Sequence, residues 1–377
     1  MKVFWFFAAL SLLFFKTCSE DQEVQDPLRQ ALQLEDPYIR QVMDKVEEHE
    51  LQIIYTRIER HGDSLVLQDY KFQVDVDNYF YPASTVKFPM AVAALEKLNE
   101  LDSLNRNVRY YVEGDTVENS FAEDIIKIFT VSDNHANNRL LEFLGQDDLN
   151  YRLRRRGVEP VRISHRLGVH SDEVTTRPLV IYLNDSTTAV SRPIENTPPE
   201  PLLLKGIKKG RGFYKADSLY AEPFDFKLKN YYPLEAQHSV LKRIIFPTYF
   251  PEHKRFGISE EQRKFLLNAM QMLPREAGYD EEEYYDSYCK FFMYGDSQEQ
   301  IPEHIQIFNK VGFAYGTLTD CAYIRDNLNG AEFMVSATIL VNQDRLFNDD
   351  AYEYDEVGIP FLATIGRALY DYESTGK

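Results

Sequence analysis

Cysteine is scarce: three residues in 377 are too few for a disulfide framework to hold a chain of this size. Glycine and proline number 17 each, which excludes collagen-like and linker composition. Basic residues are in deficit, 42 Lys and Arg against 60 Asp and Glu, for a formal charge of −18. An acidic surface repels phosphate, so no nucleic-acid partner is expected. The N-terminal apolar stretch, residues 3–15 (VFWFFAALSLLFF), falls short of the about 20 residues that a membrane-spanning helix needs. The histidines show no ligand spacing for zinc, and no internal repeat is evident. What the chain does have is core material. Its 25 Phe, 25 Tyr and 44% hydrophobic content rule out a disordered polyanion, and its length suggests two domains.

A positive start (Met1, Lys2) followed by a short apolar stretch reads as a secretory signal over residues 1–19. Two processing routes fit. Cys18 is a candidate lipidation site, although its flank Phe15-Lys16-Thr17 departs from the usual lipobox; ordinary cleavage after Ser19 would use the small Thr17 and Ser19. Either route places the protein in the periplasm or on the outer membrane, with membrane contact only through a lipid at Cys18. The acidic residues after it (Glu20, Asp21, Glu23) resemble surface-export tags, or form a solvated linker; residues 20–36 are expected to be a tether. Cys289 and Cys321 are expected to be buried thiols rather than a pair.

The residue pattern predicts a helix over 37–49, strands over 51–58 and 64–69, and helices over 84–100, 121–132, 136–144 and 147–156. Gly157 fits the stop of the last of these. Residues 178–215 read as a long loop or inserted subdomain, with the enlarged region extending to about 254. Ser259 and Gln262 form a capping box for a helix to Leu273. Residues 280–286 are an acidic loop. Strands are expected over 305–310, 320–325 and 332–341, then a closing helix over 357–370. The fold class is therefore α+β: an antiparallel sheet built from both chain ends with flanking helices, plus an inserted helical domain. The expected division is 37–82 with 305–377, and 83–304 between.

The chemistry begins at Ser84-Thr85-Val86-Lys87. On a helix, positions i and i+3 share a face, so hydroxyl and amine can meet. A hydroxyl needs a neighbouring base, and a lysine serves if burial or a second cation lowers its pKa. Such a spacing arises roughly once by chance in a chain of this length, and Ser239-Val240-Leu241-Lys242 is a second copy. Only the first has company downstream: Ser132-Asp133-Asn134 at a helix end, then Lys310-Val311-Gly312 on a strand. In order, these are the three motifs of class A β-lactamases and penicillin-binding proteins.

The flanks extend the likeness. Residues 80–90 (FYPASTVKFPM) resemble the nucleophile segment of the class A β-lactamase-like serine hydrolases. Residues 132–141 (SDNHANNRLL) resemble the second motif, and 310–320 (KVGFAYGTLTD) the third. The resemblance covers roughly 37–174 and 255–372 and implies the roles. Ser84 is the acylated nucleophile and Lys87 its base. Ser132 passes a proton to the leaving group, and Asn134 holds the substrate amide and helps fix Lys87. Lys310 raises the local positive potential. The amides of Ser84 and Phe313, beside Gly312, form the oxyanion hole. No metal or cofactor is implied; the substrate is a small molecule or a cell-wall peptide.

Two departures stand out. The family's deacylating glutamate lies in a Glu-x-x-Leu-Asn segment, and residues 161–174 (VRISHRLGVHSDEV) contain none, with Leu167 or a neighbour at the aligned position. Glu159, Asp172 or Glu173 would substitute only in a rebuilt loop. Val311 replaces a Thr or Ser whose hydroxyl binds the substrate carboxylate. The expectation is an envelope serine hydrolase acting through an acyl-serine. The alternatives are a true β-lactamase with an unusual base, and a non-catalytic surface binding protein on the same fold.

Overall fold

The computed structural model describes residues 26–62 and 64–375; the signal and Cys18 lie outside the described residues. The first strand, β1 (Gln52–His61), turns back into β2 (Ser64–Phe72). From the other chain end come β3 (Ile305–Ala314), β4 (Thr317–Asp326) and β5 (Glu332–Leu340). They form one antiparallel sheet in the order β3-β4-β5-β1-β2. β1 joins the halves by pairing with β5, from Gln52 opposite Thr338 to Arg57 opposite Phe333. β4 and β5 are buried on both faces, as a sheet sandwiched between helices must be. β3 is an edge, which matters for the site.

Helices α1 (Pro27–Leu32) and α2 (Pro37–Met43) open the described chain. Each has proline at its start and an aspartate cap: Asp26 accepts from the Arg29 amide at 3.1 Å, and Asp36 from that of Tyr38 at 2.8 Å. The expected tether is thus partly a packed helix, because Leu28, Ala31 and Leu32 are buried. α2 is shorter than expected. Its buried positions end at Val42, and His49 pulls the chain into the sheet, its Nδ1 lying 2.8 Å from the Leu340 carbonyl oxygen.

Next come α3 (Lys87–Asn99), α4 (Phe121–Thr130), α5 (Asn134–Leu144) and α6 (Gln146–Arg155). α3 is the buried centre of this layer: Met90 through Leu95 are fully enclosed. Gly157 ends α6's turn at φ +74°. The expected long loop contains short strands. Leu179–Asn184 and Thr187–Val190 join Arg109–Val112 in a small sheet, and Gly212–Lys215 pairs with Ser218–Tyr220. α7 (Leu234–Ile245) had no sequence prediction. It lies on the sheet, where His238 Nε2 meets Thr56 Oγ1 at 2.7 Å and Nδ1 meets Ser336 Oγ at 2.8 Å. The enlarged region is therefore part insertion and part sheet cover.

α8 (Glu260–Gln271) starts on the expected capping box, Ser259 with Gln262. α9 (Ile359–Thr375) closes the chain against α1 and α2; Phe361, Leu362, Ile365 and Leu369 join Leu28, Ile39 and Val42 in one apolar core. Cys289 and Cys321 are buried free thiols.

Candidate active site

Ser84 sits in a short 3₁₀ turn, Ala83–Val86, that runs into α3, rather than in the first α-helical turn. Thr85 Oγ1 donates to the Pro82 carbonyl at 2.6 Å. Ala83 has φ +47°, a strained conformation for a residue with a side chain. The strand β3 presses on this turn at Gly312. A Cβ there would stand 2.7 Å from the Ser84 nitrogen and 2.8 Å from that of Thr85, so only glycine fits.

The turn after Gly312 fixes the rest of the edge. Tyr315 and Gly316 both have positive φ, 55° and 72°, which suits a two-residue hairpin turn. Ala314 opposite Thr317 is then the closing hydrogen-bonded pair, and Phe313 opposite Leu318 the next, non-bonded pair. On an edge strand this points the Phe313 N–H off the sheet. Ser84 and Phe313 both line the cleft, with Gly312 packed on the Ser84 nitrogen between them.

Lys87 is fully buried. Its Nζ donates to the Ser132 carbonyl and lies 3.2 Å from Ser132 Oγ. Lys310 Nζ lies 2.9 Å from the same Oγ and 2.7 Å from the Val311 carbonyl. One hydroxyl thus sits between two lysine nitrogens. Burial, then the Lys310 charge, holds Lys87 well below the usual lysine range. Burial brings Lys310 down to about 8. Ser132 itself has φ +57°, so it joins Ala83 and Tyr315 as a non-glycine residue with positive φ here. Asp133 caps α5, accepting from the Ala136 amide at 2.7 Å. Asn134 follows it and faces the cleft. Lys87, Ser132 and Lys310 thus meet through hydrogen bonds, Ser84, Asn134 and Phe313 line one cleft, and Gly312 packs on the Ser84 nitrogen; the Lys87 amine bonds the Ser132 carbonyl rather than the expected Asn134. Val311 is buried in the apolar core that also holds α9.

Sequence reasoning missed the layer behind Lys310. Lys290 is buried, its Nζ donating to the Met270 carbonyl at 2.7 Å and to Asn309 Oδ1 at 2.8 Å. Asn309 Nδ2 donates in turn to Asp320 Oδ1 at 2.9 Å. Burial pushes Asp320 up to about 6 and Lys290 down to about 8. The only signal was a lysine inside an apolar run (CKFFM, 289–293).

The cleft has a volume of about 550 Å³ and includes Ser84, Asn134, Leu167 and Gly168 among its walls. Leu167 is clamped by Asn138, which accepts from its amide and donates to its carbonyl, both at 2.9 Å. The following loop hangs on Arg166, which is fully buried and bonds Glu142 at 2.7 and 2.8 Å and the Glu173 and Thr175 carbonyls at 2.9 Å. Glu173 itself pairs with His170 at 2.9 Å, and Glu159, Asp172 and Glu173 are exposed. The carboxylate that lines the cleft is instead Asp350. Among the described residues no group of three His, Cys, Asp or Glu side chains could hold a metal ion.

Residues 38–191 match the model of the β-lactamase enzyme family. No curated protein sequence matches the chain. The fold is similar to that of a β-lactamase from Desulfarculus baarsii DSM 2075, at 14% identity over 92% of this chain and 96% of that one, with a TM-score of 0.53. A class A β-lactamase from Bacteroides cellulosilyticus DSM 14838 aligns at 14% identity over 92% and 98%, with a TM-score of 0.51. The β-lactamase of Streptomyces albus G aligns at 12% identity over 91% and 99%, with a TM-score of 0.52. At these identities the likeness shows the fold, while the family match covers residues 38–191.

Proposed function

We propose that this chain, β-lactamase-like in family match and fold, is a serine hydrolase that transfers an acyl group through Ser84. The observation that carries the reading is Ser132 Oγ set between Lys87 Nζ and Lys310 Nζ at 3.2 and 2.9 Å. In the step, the neutral Lys87 amine takes the Ser84 proton and the Ser84 oxygen bonds to the substrate carbonyl carbon. The Ser84 and Phe313 amides hold the resulting oxyanion. The bond to the leaving nitrogen or oxygen then breaks as that atom receives a proton through Ser132, leaving an acyl-serine and a neutral leaving group. Lys310, charged below about pH 8, keeps Lys87 neutral.

Deacylation needs a base for water. The segment where the family carries its glutamate offers Leu167 and Gly168 to the cleft, so the acyl-serine is long-lived. Asp350, in the same cleft, favours a second reading, a true β-lactamase that uses it as base. The substrate is an amide or ester of cell-wall or β-lactam type, and the site of action is the cell envelope, after export by an N-terminal signal that ends either before a lipidated Cys18 or after Ser19. Incubation with a serine-reactive probe and a chromogenic cephalosporin tests this. A stable mass adduct on Ser84 with a single burst supports the first reading, and sustained turnover lost in Asp350→Asn the second. No Ser84 adduct and no turnover would overturn both.

A further inference from the structure

The cleft beyond Ser84 has a marked composition. Phe313 and Tyr315 come from the β3–β4 hairpin, Tyr352 and Tyr354 from the chain before α9. Phe313 and Tyr354 lie 5.2 Å apart, and Tyr352 and Tyr354 5.5 Å. Phe313 lines the cleft and stays 52% exposed, although Tyr354 and Phe291 pack against its ring. The tyrosine hydroxyls are spent in part on the backbone: Tyr354 accepts from the Gly316 amide at 2.8 Å and Tyr352 from that of Asn348 at 2.9 Å. Burial raises both above the usual phenol range, so they are neutral. The charged side chain on this wall is Asp350. Among the described lining residues there is no arginine or lysine. Lys229 approaches from outside, over the Tyr315 ring at 5.9 Å.

The inserted segment holds this wall in place. Gly212 and Phe213 pair in parallel with Leu346 and Phe347. The Arg211 amide donates to the Arg345 carbonyl at 2.9 Å, and Asn348 Nδ2 to the Tyr214 carbonyl at 3.1 Å. Gly210, at φ +74°, lies where a Cβ would be 2.5 Å from the Arg345 oxygen and from the Phe347 ring. The loop that presents Asn348, Asp350 and Tyr352 therefore depends on residues outside the three motifs.

We propose that residues 208–214 and the loop 342–354 together form a specificity wall that accepts an uncharged aromatic acyl substituent and turns away one bearing a carboxylate. The proposal rests on the reading of Ser84 as the acylated residue and narrows its substrate class. Aromatic side chains favour a flat apolar guest in offset or edge contact, and Asp350 repels a second carboxylate held in the same cleft.

The test uses two probes of one shape on the full chain: phenylacetamide and 4-carboxyphenylacetamide, with binding read by calorimetry. The neutral amide binds about tenfold tighter or more. Asp350→Asn closes most of that gap by improving the carboxylate probe. Tyr352→Ala weakens the neutral probe, and Gly210→Ala, outside the cleft, does the same while the circular dichroism spectrum is kept. Equal or tighter binding of the carboxylate probe, no binding of phenylacetamide, or an unchanged ratio in Asp350→Asn overturns the proposal. The p-nitrophenyl ester of phenylacetic acid reads the chemistry separately. Discrimination in binding without a Ser84-dependent release of p-nitrophenolate leaves the wall standing and removes the acyl-transfer reading.

Discussion

Ser84–Lys87 and Ser239–Lys242 have the same spacing, and both lie at or on helices, yet their surroundings share nothing. Lys87 is sealed from water beside a second lysine, and both nitrogens converge on one hydroxyl. Lys242 reaches back to the sheet and pairs with Asp69 at 2.6 Å, while Ser239 accepts a hydrogen bond from Arg243. A carboxylate partner stabilises the ammonium form; a lysine partner in a dry site destabilises it. The motif is therefore a geometric permission, and the neighbours decide which copy can do chemistry.

The sharpest way to break the contrast is at the hydroxyls. Ser84→Ala abolishes labelling by a serine-reactive probe, and Ser239→Ala leaves it unchanged; mass spectrometry of the labelled chain checks both. At the amines, Lys87→Met slows acylation by about 10²- to 10⁴-fold. Lys242→Met leaves acylation within twofold and lowers the thermal midpoint, because it strips a partly buried pair worth about 1 kcal/mol. Stopped-flow acylation and calorimetric melting separate the two effects. At the amides, Gly312→Ala intrudes on the Ser84 nitrogen and costs about 10²- to 10³-fold in acylation rate, the range for a lost oxyanion donor.

Two smaller effects concern charge. The acylation rate falls as pH rises through about 8, where Lys310 loses its proton. Asp320 pulls the Lys310 pKa upward, so Asp320→Asn moves that falling limb to lower pH. Asp320 also bears on stability. Its carboxyl titrates near 6 in the fold against an ordinary value of 3.8, so the native state favours the protonated form. That contribution is full below about pH 4 and is lost as pH rises through 6. The thermal midpoint of Asp320→Asn therefore gains on that of the unaltered chain between pH 4 and 7. A parallel pair of curves would remove the account of this residue.

The legibility of the chain followed the range of the signal. Strands β1 to β5 were readable because their apolar runs are bounded by turns, and α3, α4, α5 and α8 because their apolar spacing and caps are local. α1 was read as tether because a six-residue helix carries too few apolar positions to show a period; only docking on α9 buries Leu28 and Leu32. α7 was hidden behind a proline-rich stretch. In the site, the three motifs were visible as short words. Lys290, Asn309 and Asp320 were not, since their meeting joins the segment after α8 to two strands. The stretch that carries Asp350, Tyr352 and Tyr354 holds no motif, and nothing local says that it shares a cleft with Ser84.

The central claim is that Lys87 is a neutral amine beside Ser84. Carbon-13 placed biosynthetically at the lysine Cε positions, assigned through Lys87→Arg and followed by NMR from pH 5 to 11, reads it directly. The account predicts a Lys87 midpoint far below the ordinary lysine value of about 10.4. A Lys87 signal that stays in the ammonium position up to pH 10 would contradict it.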